Sequence, residues 1–301
     1  MNRVMNKKLI AKNFRFKPLM LAFALLSPLH AFAADSPNNL AEPQQVEQQQ
    51  HYFHRDHVLG TSFDVVLTGI STSDAQHAFN AMLEEIASLD KKLSIWRADS
   101  EISALNQQKS AEVSPELFEV IAACETWRNK TCGAFDARLG QLIGLWEESQ
   151  GIMQPDESAR VAITNQLNPN SVSMNQETQQ ITLDQATAIA PDGYAKGYII
   201  DRAMMAARQA VPTLEGVLVD IGGDMRVWGE SPKKSTWSIG VQDAFNHHDL
   251  AVPSEVLSLT DHAVAFSGKG YRDVNGQSHL LDPKTGLALQ HVEQCLSLIH
   301  I

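Results

Sequence analysis

The stretch 190–201, Ala-Pro-Asp-Gly-Tyr-Ala-Lys-Gly-Tyr-Ile-Ile-Asp, constrains the fold more than any other in this chain. Pro191, Gly193 and Gly197 are poor residues for a helix interior, so the segment is expected to begin as a turn. Beyond it, Ile200, Ala203, Met204 and Ala207 recur at i, i+3, i+4 and i+7, which is one face of a helix. The expectation is a glycine-containing loop that enters a helix N-terminus, with Lys196 in the first turn. Free N–H groups and the positive end of the helix dipole favour an anion there, and Lys196 adds a point charge. Taken alone, the stretch reads equally well as a loop that merely starts a helix.

The chain opens with a different kind of signal. Arg3, Lys7, Lys8, Lys12, Arg15 and Lys17 precede any acid, and an apolar run follows over 18–29. That run is too short to span a bilayer, which takes about 20 apolar residues. Small residues over 30–34 suit cleavage after Ala33 or Ala34. Residues 1–34 therefore read as a signal peptide, and the Gln-, Pro- and Asn-rich residues 35–50 as a mobile linker. No cysteine lies near the cleavage site, so no lipid anchor is expected. Without the leader, 18 Lys+Arg face 35 Asp+Glu. An exported, acidic, periplasmic protein is a poor candidate for nucleic acid or anionic membranes, so any anion must meet a local basic site.

Short alternating and helical patterns interleave after residue 50. Residues 51–68 have β-favouring character, and within them Phe63, Val65 and Leu67 alternate as in a strand. Ser73-x-x-Gln76 reads as a capping box for a helix with Phe79, Met82, Leu83 and Ile86 on one face. Ser114-Pro115 opens a second helix with Leu117, Val120, Ile121 and Cys124 inward. Residues 150–190 look peripheral, with a helix near 156–167 and a hairpin around 175–178. Strands are expected at 216–221, continuing through 226–228, at 237–241, at 263–266 and from Cys295. The fold class is α+β, a single mixed domain over 51–301. Cys124, Cys132 and Cys295 make no disulfide framework, though a Cys124–Cys132 bridge stays open. His51, His54, His57, His247 and His248 read as loop residues rather than metal ligands.

Several separate segments combine Gly with Asp, Lys or Ser: 133–136, 192–197, 222–224, 267–270 and 279–282. Loops that let the backbone approach closely, beside carboxylates and a lysine, suit a phosphate, metal and nucleotide site. Each also has a plain structural reading: a strand-end turn for Gly222-Gly223, a cap for Asp136, core packing for Trp96. The Walker A, Rossmann and Gly-x-Ser-x-Gly patterns are absent.

The ordered set Gly60-Thr61-Ser62, Leu93-Ser94-Ile95-Trp96-Arg97-Ala98-Asp99-Ser100-Glu101-Ile102-Ser103-x-x-Asn106, Gly133-Ala134-Phe135-Asp136, Asp192-Gly-x-Ala-Lys-Gly-Tyr-x-x-Asp201, Val219-Asp220-Ile221-Gly222-Gly223-Asp224, Trp237-x-x-Gly240-Val-Gln242-Asp243, Ser267-Gly268 and His279-x-x-Asp282-Pro283-x-Thr285-Gly286 resembles the ApbE family, the FAD:protein FMN transferases. The resemblance covers roughly 58–290. It implies an ApbE-like, T-fold-related α+β domain that binds FAD, uses Mg²⁺, moves FMN onto a Thr or Ser hydroxyl of another protein and releases AMP. The acceptor it implies is a flavoprotein subunit carrying Ser/Thr-Gly-Ala-Ser/Thr.

The resemblance also carries residues. Trp96 takes the aromatic position beside the flavin, usually Tyr, and Leu59 replaces the usual Met. Ala134, Phe135 and Asp136 match a flavin-nucleotide contact segment, and Lys196 and Leu281 match further FAD contacts. Gly193 matches the position whose carbonyl meets the metal. No catalytic residue is assigned. Two departures stand out. Ala190 replaces a common Asp, and the sequence ends at Ile301, before the family's Asp and Thr or Ser metal ligands. The expectation is a sequence cut short in its last strand, with weak Mg²⁺ binding and slow transfer. The alternatives are a non-catalytic flavin-binding protein, an FAD pyrophosphatase that gives FMN and AMP to water, or a plain exported binding domain.

Overall fold

The computed structural model describes residues 50–149, 154–167, 170–233, 235–241, 253–268, 278, 280–289 and 294–300, with 267–268 and 294–300 as backbone alone. The proposed signal peptide, residues 35–49 of the proposed linker, His247, His248 and His279 lie outside them. Among the described residues no helix is long and apolar enough to cross a membrane.

A six-stranded antiparallel sheet forms the frame, in the order β1-β2-β6-β7-β10-β11. Its strands are β1 (Gln50–Val58), β2 (Thr61–Thr68), β6 (Gly216–Ile221), β7 (Asp224–Gly229), β10 (His262–Gly268) and β11 (Gln294–His300). Phe63, Val65 and Leu67 alternate inward as expected and are fully buried. They meet Val217, Val219 and Ile221 of β6 in one core. Two long helices cover this face: α1 (Thr72–Leu93) and α6 (Asp192–Ala210). Their buried stripes include Phe79, Met82 and Ile86 on α1 and Ile200, Ala203, Met204 and Ala207 on α6. Phe79 stacks on Phe53 of β1 with ring centroids 4.4 Å apart.

The opposite face carries Val66, Val227 and Val264, which pack against Trp237, Ile239 and Leu259. Those three come from a two-stranded sheet of β8 (Trp237–Val241) and β9 (Glu255–Leu259). The middle strands are thus covered on both faces. Gly216 sits where β6 and β7 crowd: a Cβ there would fall 1.9 Å from the Glu230 carbonyl oxygen.

Smaller elements surround the helix layer: α2 (Glu101–Gln108), β3 (Ser110–Glu112), α3 (Pro115–Lys130), α4 (Gly140–Glu148), α5 (Glu157–Asn165), β4 (Val172–Asn175) and β5 (Gln180–Leu183). Ser114 caps α3 with Pro115 at its start, as the sequence predicts, and the Glu101 carboxylate accepts from both the Ser114 N–H and hydroxyl. The second sheet, β3-β5-β4, is no mere periphery, because Ile181 and Leu183 join the main core.

Four local expectations are corrected. The cap of α1 is Ser71, not Ser73; its hydroxyl accepts from the Asp74 N–H, while Gln76 donates its amide to Asn80 one turn on. The segment 226–228 does not continue β6: Gly222 and Gly223, at φ 59° and 91°, turn the chain back into β7. Gln50 lies in β1 rather than in the linker, and His51, His54 and His57 lie there rather than in a loop, in keeping with the β-favouring character of 51–68. The turn expected over 192–197 is already helix, since α6 begins at Asp192 and holds both glycines. Its buried face outweighs the two glycines, each worth about 1 kcal/mol of propensity.

Candidate functional site

One end of the main sheet collects several of the residues singled out above. The β1–β2 turn there contains Leu59 and Gly60 at φ 49° and 77°. The β6–β7 turn lies beside it: the Gly222 N–H donates to the Ser62 carbonyl, and a Cβ on Gly222 would meet the Thr61 hydroxyl at 2.5 Å. Gly222 is thus the only residue type that lets these turns approach so closely. β10 runs to the same end, since Ala263 faces Arg226 and its strand continues to Gly268 past Asp224.

The start of α6 docks onto this end. Lys196 Nζ lies 3.0 Å from Asp224 Oδ2, and both side chains are mostly buried. Lys196 is therefore the fifth helical residue rather than a first-turn cation. It points at the sheet, which removes most of its conflict with the helix dipole. Pro191 precedes the helix with no side-chain cap, so the first N–H groups keep no side-chain acceptor from that position.

Asp192, one turn before Lys196, accepts from Trp96 Nε1 at 3.3 Å. Trp96 is 66% exposed, so core packing does not explain it. Trp96 belongs to the loop between α1 and α2, a loop pinned by Arg97 on Asp90 and Asp99. Glu147 of α4 faces the same corner; burial first and then Asp192 push its carboxyl up.

Phe135 leans on the α6 start. A Cβ on Gly193 would fall 3.3 Å from Phe135 Cε2, so glycine lets the ring lie against the helix. The Phe135 N–H donates to Thr131 Oγ1, which ties the 133–136 loop to the end of α3. Asp136 is held from the other side: Arg138 Nε and Nη2 donate to its two carboxylate oxygens at 2.8 and 2.6 Å. Both side chains of that pair are buried. Leu281 lies on a separate segment, bridged to Ala288; Gly286 of that segment sits against Leu142 of α4 and Arg160 and Thr164 of α5. Ala190 is buried and donates its N–H to the Ala137 carbonyl. Cys124 is buried and Cys132 exposed, and both are free.

Sequence reasoning missed a titratable cluster on the other face of the same sheet end. Asp220 is 7% exposed and stands opposite Asp64 in the β2–β6 register. Burial pushes its carboxyl up to about 7; Asp64 and Asp224 add to the rise, while the Gly223 N–H and Lys196 oppose it. Asp64 Oδ1 takes the Tyr52 hydroxyl at 2.5 Å and His54 Nδ1 at 2.7 Å. The hydrogen bond to Asp64 raises the His54 pKa, and burial, followed by Asp64, raises that of Tyr52. The available signal was the polar position of Asp64 between Phe63 and Val65, and Asp220 between Val219 and Ile221. Only the register shows that these two are neighbours. Among the described residues, no three His, Cys, Asp or Glu side chains form a metal-holding group.

The sequence profile of the ApbE family matches residues 59–299. A FAD:protein FMN transferase from Vibrio cholerae is 28% identical over 247 residues, covering 76% of this chain and 70% of that protein. One from Haemophilus influenzae is 26% identical over 236 residues, covering 73% and 66%. The chain thus spans about two thirds of the length of these curated relatives. The crystal structure of the ApbE protein from Thermotoga maritima superposes with a TM-score of 0.75 at 26% identity, covering 84% of this chain and 82% of that one. The apo flavinyl transferase ApbE of Pseudomonas stutzeri, at 20% identity and TM-score 0.72, shares the fold. With four fifths of the chain inside the family match and the same mixed helix-and-sheet architecture, this protein belongs to the ApbE family.

Proposed function

We propose that this protein moves the FMN half of FAD onto a Thr or Ser hydroxyl of an acceptor protein and releases AMP. The observation that carries the reading is the α6 start, where Asp192 holds an exposed Trp96 and Lys196 follows one turn later. Residues i and i+4 share a helix side, so an indole free to stack and a cation for phosphate flank one place. Phe135, from the 133–136 loop, lies against Gly193 at that helix start. Leu59, Ala134, Asp136 and Leu281 are kept as nucleotide contacts on the family resemblance. Asp136 would act through its main chain, because Arg138 occupies its carboxylate.

The chemistry balances simply. The acceptor oxygen bonds to the flavin-side phosphorus, the bond from that phosphorus to the bridging oxygen breaks, AMP leaves with the bridging oxygen, and the hydroxyl proton passes to solvent. Such a step depends on positioning and charge neutralisation. Lys196 supplies charge, and Trp96 and Phe135 supply position. Mg²⁺ dependence is part of the proposal on the family's ground, with the Gly193 carbonyl as one ligand. Among the described residues no three His, Cys, Asp or Glu side chains form a metal-holding group, so no step is routed through the ion. The leader over 1–34 would deliver the protein to the periplasm, where a mature N-terminus at Ala34 or Asp35, read by mass spectrometry, checks that part.

The test incubates the mature protein with FAD and an acceptor domain carrying Ser/Thr-Gly-Ala-Ser/Thr, with and without Mg²⁺. A fluorescent acceptor band on a denaturing gel, formed only with Mg²⁺, is expected. AMP released without acceptor would instead assign FAD hydrolysis, and neither product would sink both readings. In the same assay Lys196→Ala is expected to weaken FAD binding about tenfold, the scale of one charge-assisted contact, with the fold intact. Unchanged affinity would leave Lys196 as a structural partner of Asp224 alone.

A further inference from the structure

Arg226 stands out among the buried arginines. Its side chain is 12% exposed, yet Nε and Nη1 are closed to solvent and hydrogen-bonded to nothing. The nearest carboxylate oxygen, Asp201 Oδ1, lies 3.6 Å from Nη1, beyond hydrogen-bond reach. Its register partners across the sheet are Val219 and Ala263, which offer no side-chain acceptor. The other buried arginines differ. Arg138 is clamped on Asp136, and Arg160 donates to the Pro155 and Thr285 carbonyls. Arg97 also has an unpaired Nε, but both its Nη atoms meet carboxylates.

The place of Arg226 gives that unspent capacity a direction. Asp224 and Arg226 are two apart on β7 and project to the α6 face, because they pair with the core residues Ile221 and Val219. They meet Lys196 and Asp201 of α6 respectively. Two strand residues advance about 7 Å and five helical residues about 7.5 Å, so the two rows run in step. Lys196 and Arg226 therefore lie along one line from the helix start. A guanidinium cannot shed its charge, and its planar fork matches an oxyanion in two contacts. A buried fork with unused donors gains by turning toward such a group.

We propose that Arg226 is a second anion-binding group of the nucleotide site, and that Lys196 and Arg226 together grip the two phosphoryl groups of a dinucleotide diphosphate. The inference deepens the reading of the site as FAD-binding and rests on it for the identity of the ligand. Arg226 acts on the phosphates and not on the flavin ring, so its effect follows the diphosphate.

The experiment compares the wild-type chain with Arg226→Gln and Arg226→Lys. Flavin fluorescence reads FAD and riboflavin binding, calorimetry reads inorganic pyrophosphate, and thermal melts report the fold. The expected result for Arg226→Gln is a loss of about tenfold or more in FAD and pyrophosphate affinity. Riboflavin affinity should stay unchanged and the melting temperature should not fall. Arg226→Lys should recover part of the loss, since it keeps the charge but not the fork, and it carries the comparison if the Gln variant folds poorly. If pyrophosphate binding needs Arg226 while FAD does not bind at all, the anion site stands and the FAD reading fails. Wild-type FAD binding that survives Arg226→Gln, equal losses for riboflavin, or no pyrophosphate binding by the wild type would each overturn the proposal.

Discussion

Replacing Arg138 by methionine is expected to destabilise the protein by about 3 kcal/mol or more, because it strands a buried carboxylate. Asp136 and Arg138 have side chains 4% and 3% exposed, joined through two guanidinium donors. Arg138 also reaches Ser171 at 3.3 Å, which ties the 133–136 loop to the approach of β4. Methionine fills most of the volume but neutralises nothing. The Arg138 N–H that also donates to Asp136 survives the change, which sets this loss toward the lower part of the usual range. Adding Asp136→Asn should recover much of the stability, since the stranded charge is then gone. Urea midpoints of the two single variants and the double variant check this. If Arg138→Met is as stable as the wild type, or the double variant no better than the single, the pair is not the pin described. Phe135 sits one residue from this pair and against Gly193, so the single variant should also bind FAD less tightly.

This pair shows where the sequence stops being legible. The helix stripes of α1, α3 and α6 and the alternation in β2 were readable, because apolar periodicity is local and the buried face decides it. The order of short glycine-bearing motifs was also readable, and it pointed to the ApbE family, to which the chain belongs. Local rules failed where tertiary packing overrode them. Gly193 and Gly197 look like helix breakers, but the α6 stripe is buried under the sheet and Gly193 makes room for Phe135. Ser73 looks like a cap, but Ser71 reaches the Asp74 N–H first. The electrostatics were invisible for another reason. Asp136 and Arg138 are two residues apart, and nothing local says that both are buried. Asp64 and Asp220 are separated by about half the chain and meet only through strand register. Which of the motif residues act together was equally hidden: Trp96, Asp192 and Lys196 converge because the α1–α2 loop folds over the start of α6.

The same register predicts a stability that declines as the pH rises, and Asp220→Asn as the substitution that removes the decline. Asp220 would keep its proton up to about pH 7 in the folded chain, against an ordinary value of 3.8. Between those limits folding takes up a proton, so stability is highest at the acid end of the window and falls as pH approaches and passes 7. The gap of about three pK units corresponds to at most about 4 kcal/mol at 1.36 kcal/mol per unit. Asn cannot ionise, and its side-chain oxygen can still accept from the Gly223 N–H that Asp220 holds at 2.8 Å. The variant should therefore exceed the wild type by only about 1 kcal/mol near pH 4.5 and by several kcal/mol at pH 8. Its own profile should be flatter but not flat. The His54 pKa is also raised, chiefly by Asp64, and a raised histidine likewise loses its contribution as the pH climbs through its folded value. Removing Asp220 also relieves Asp64 and Asp224, whose charges helped to raise it. Urea midpoints between pH 4.5 and 8.5 decide the matter. A wild-type profile that does not fall over this range, or an Asn variant with the wild-type slope, would mean that Asp220 is already ionised in the folded chain and that Lys196 and the Gly223 N–H outweigh burial.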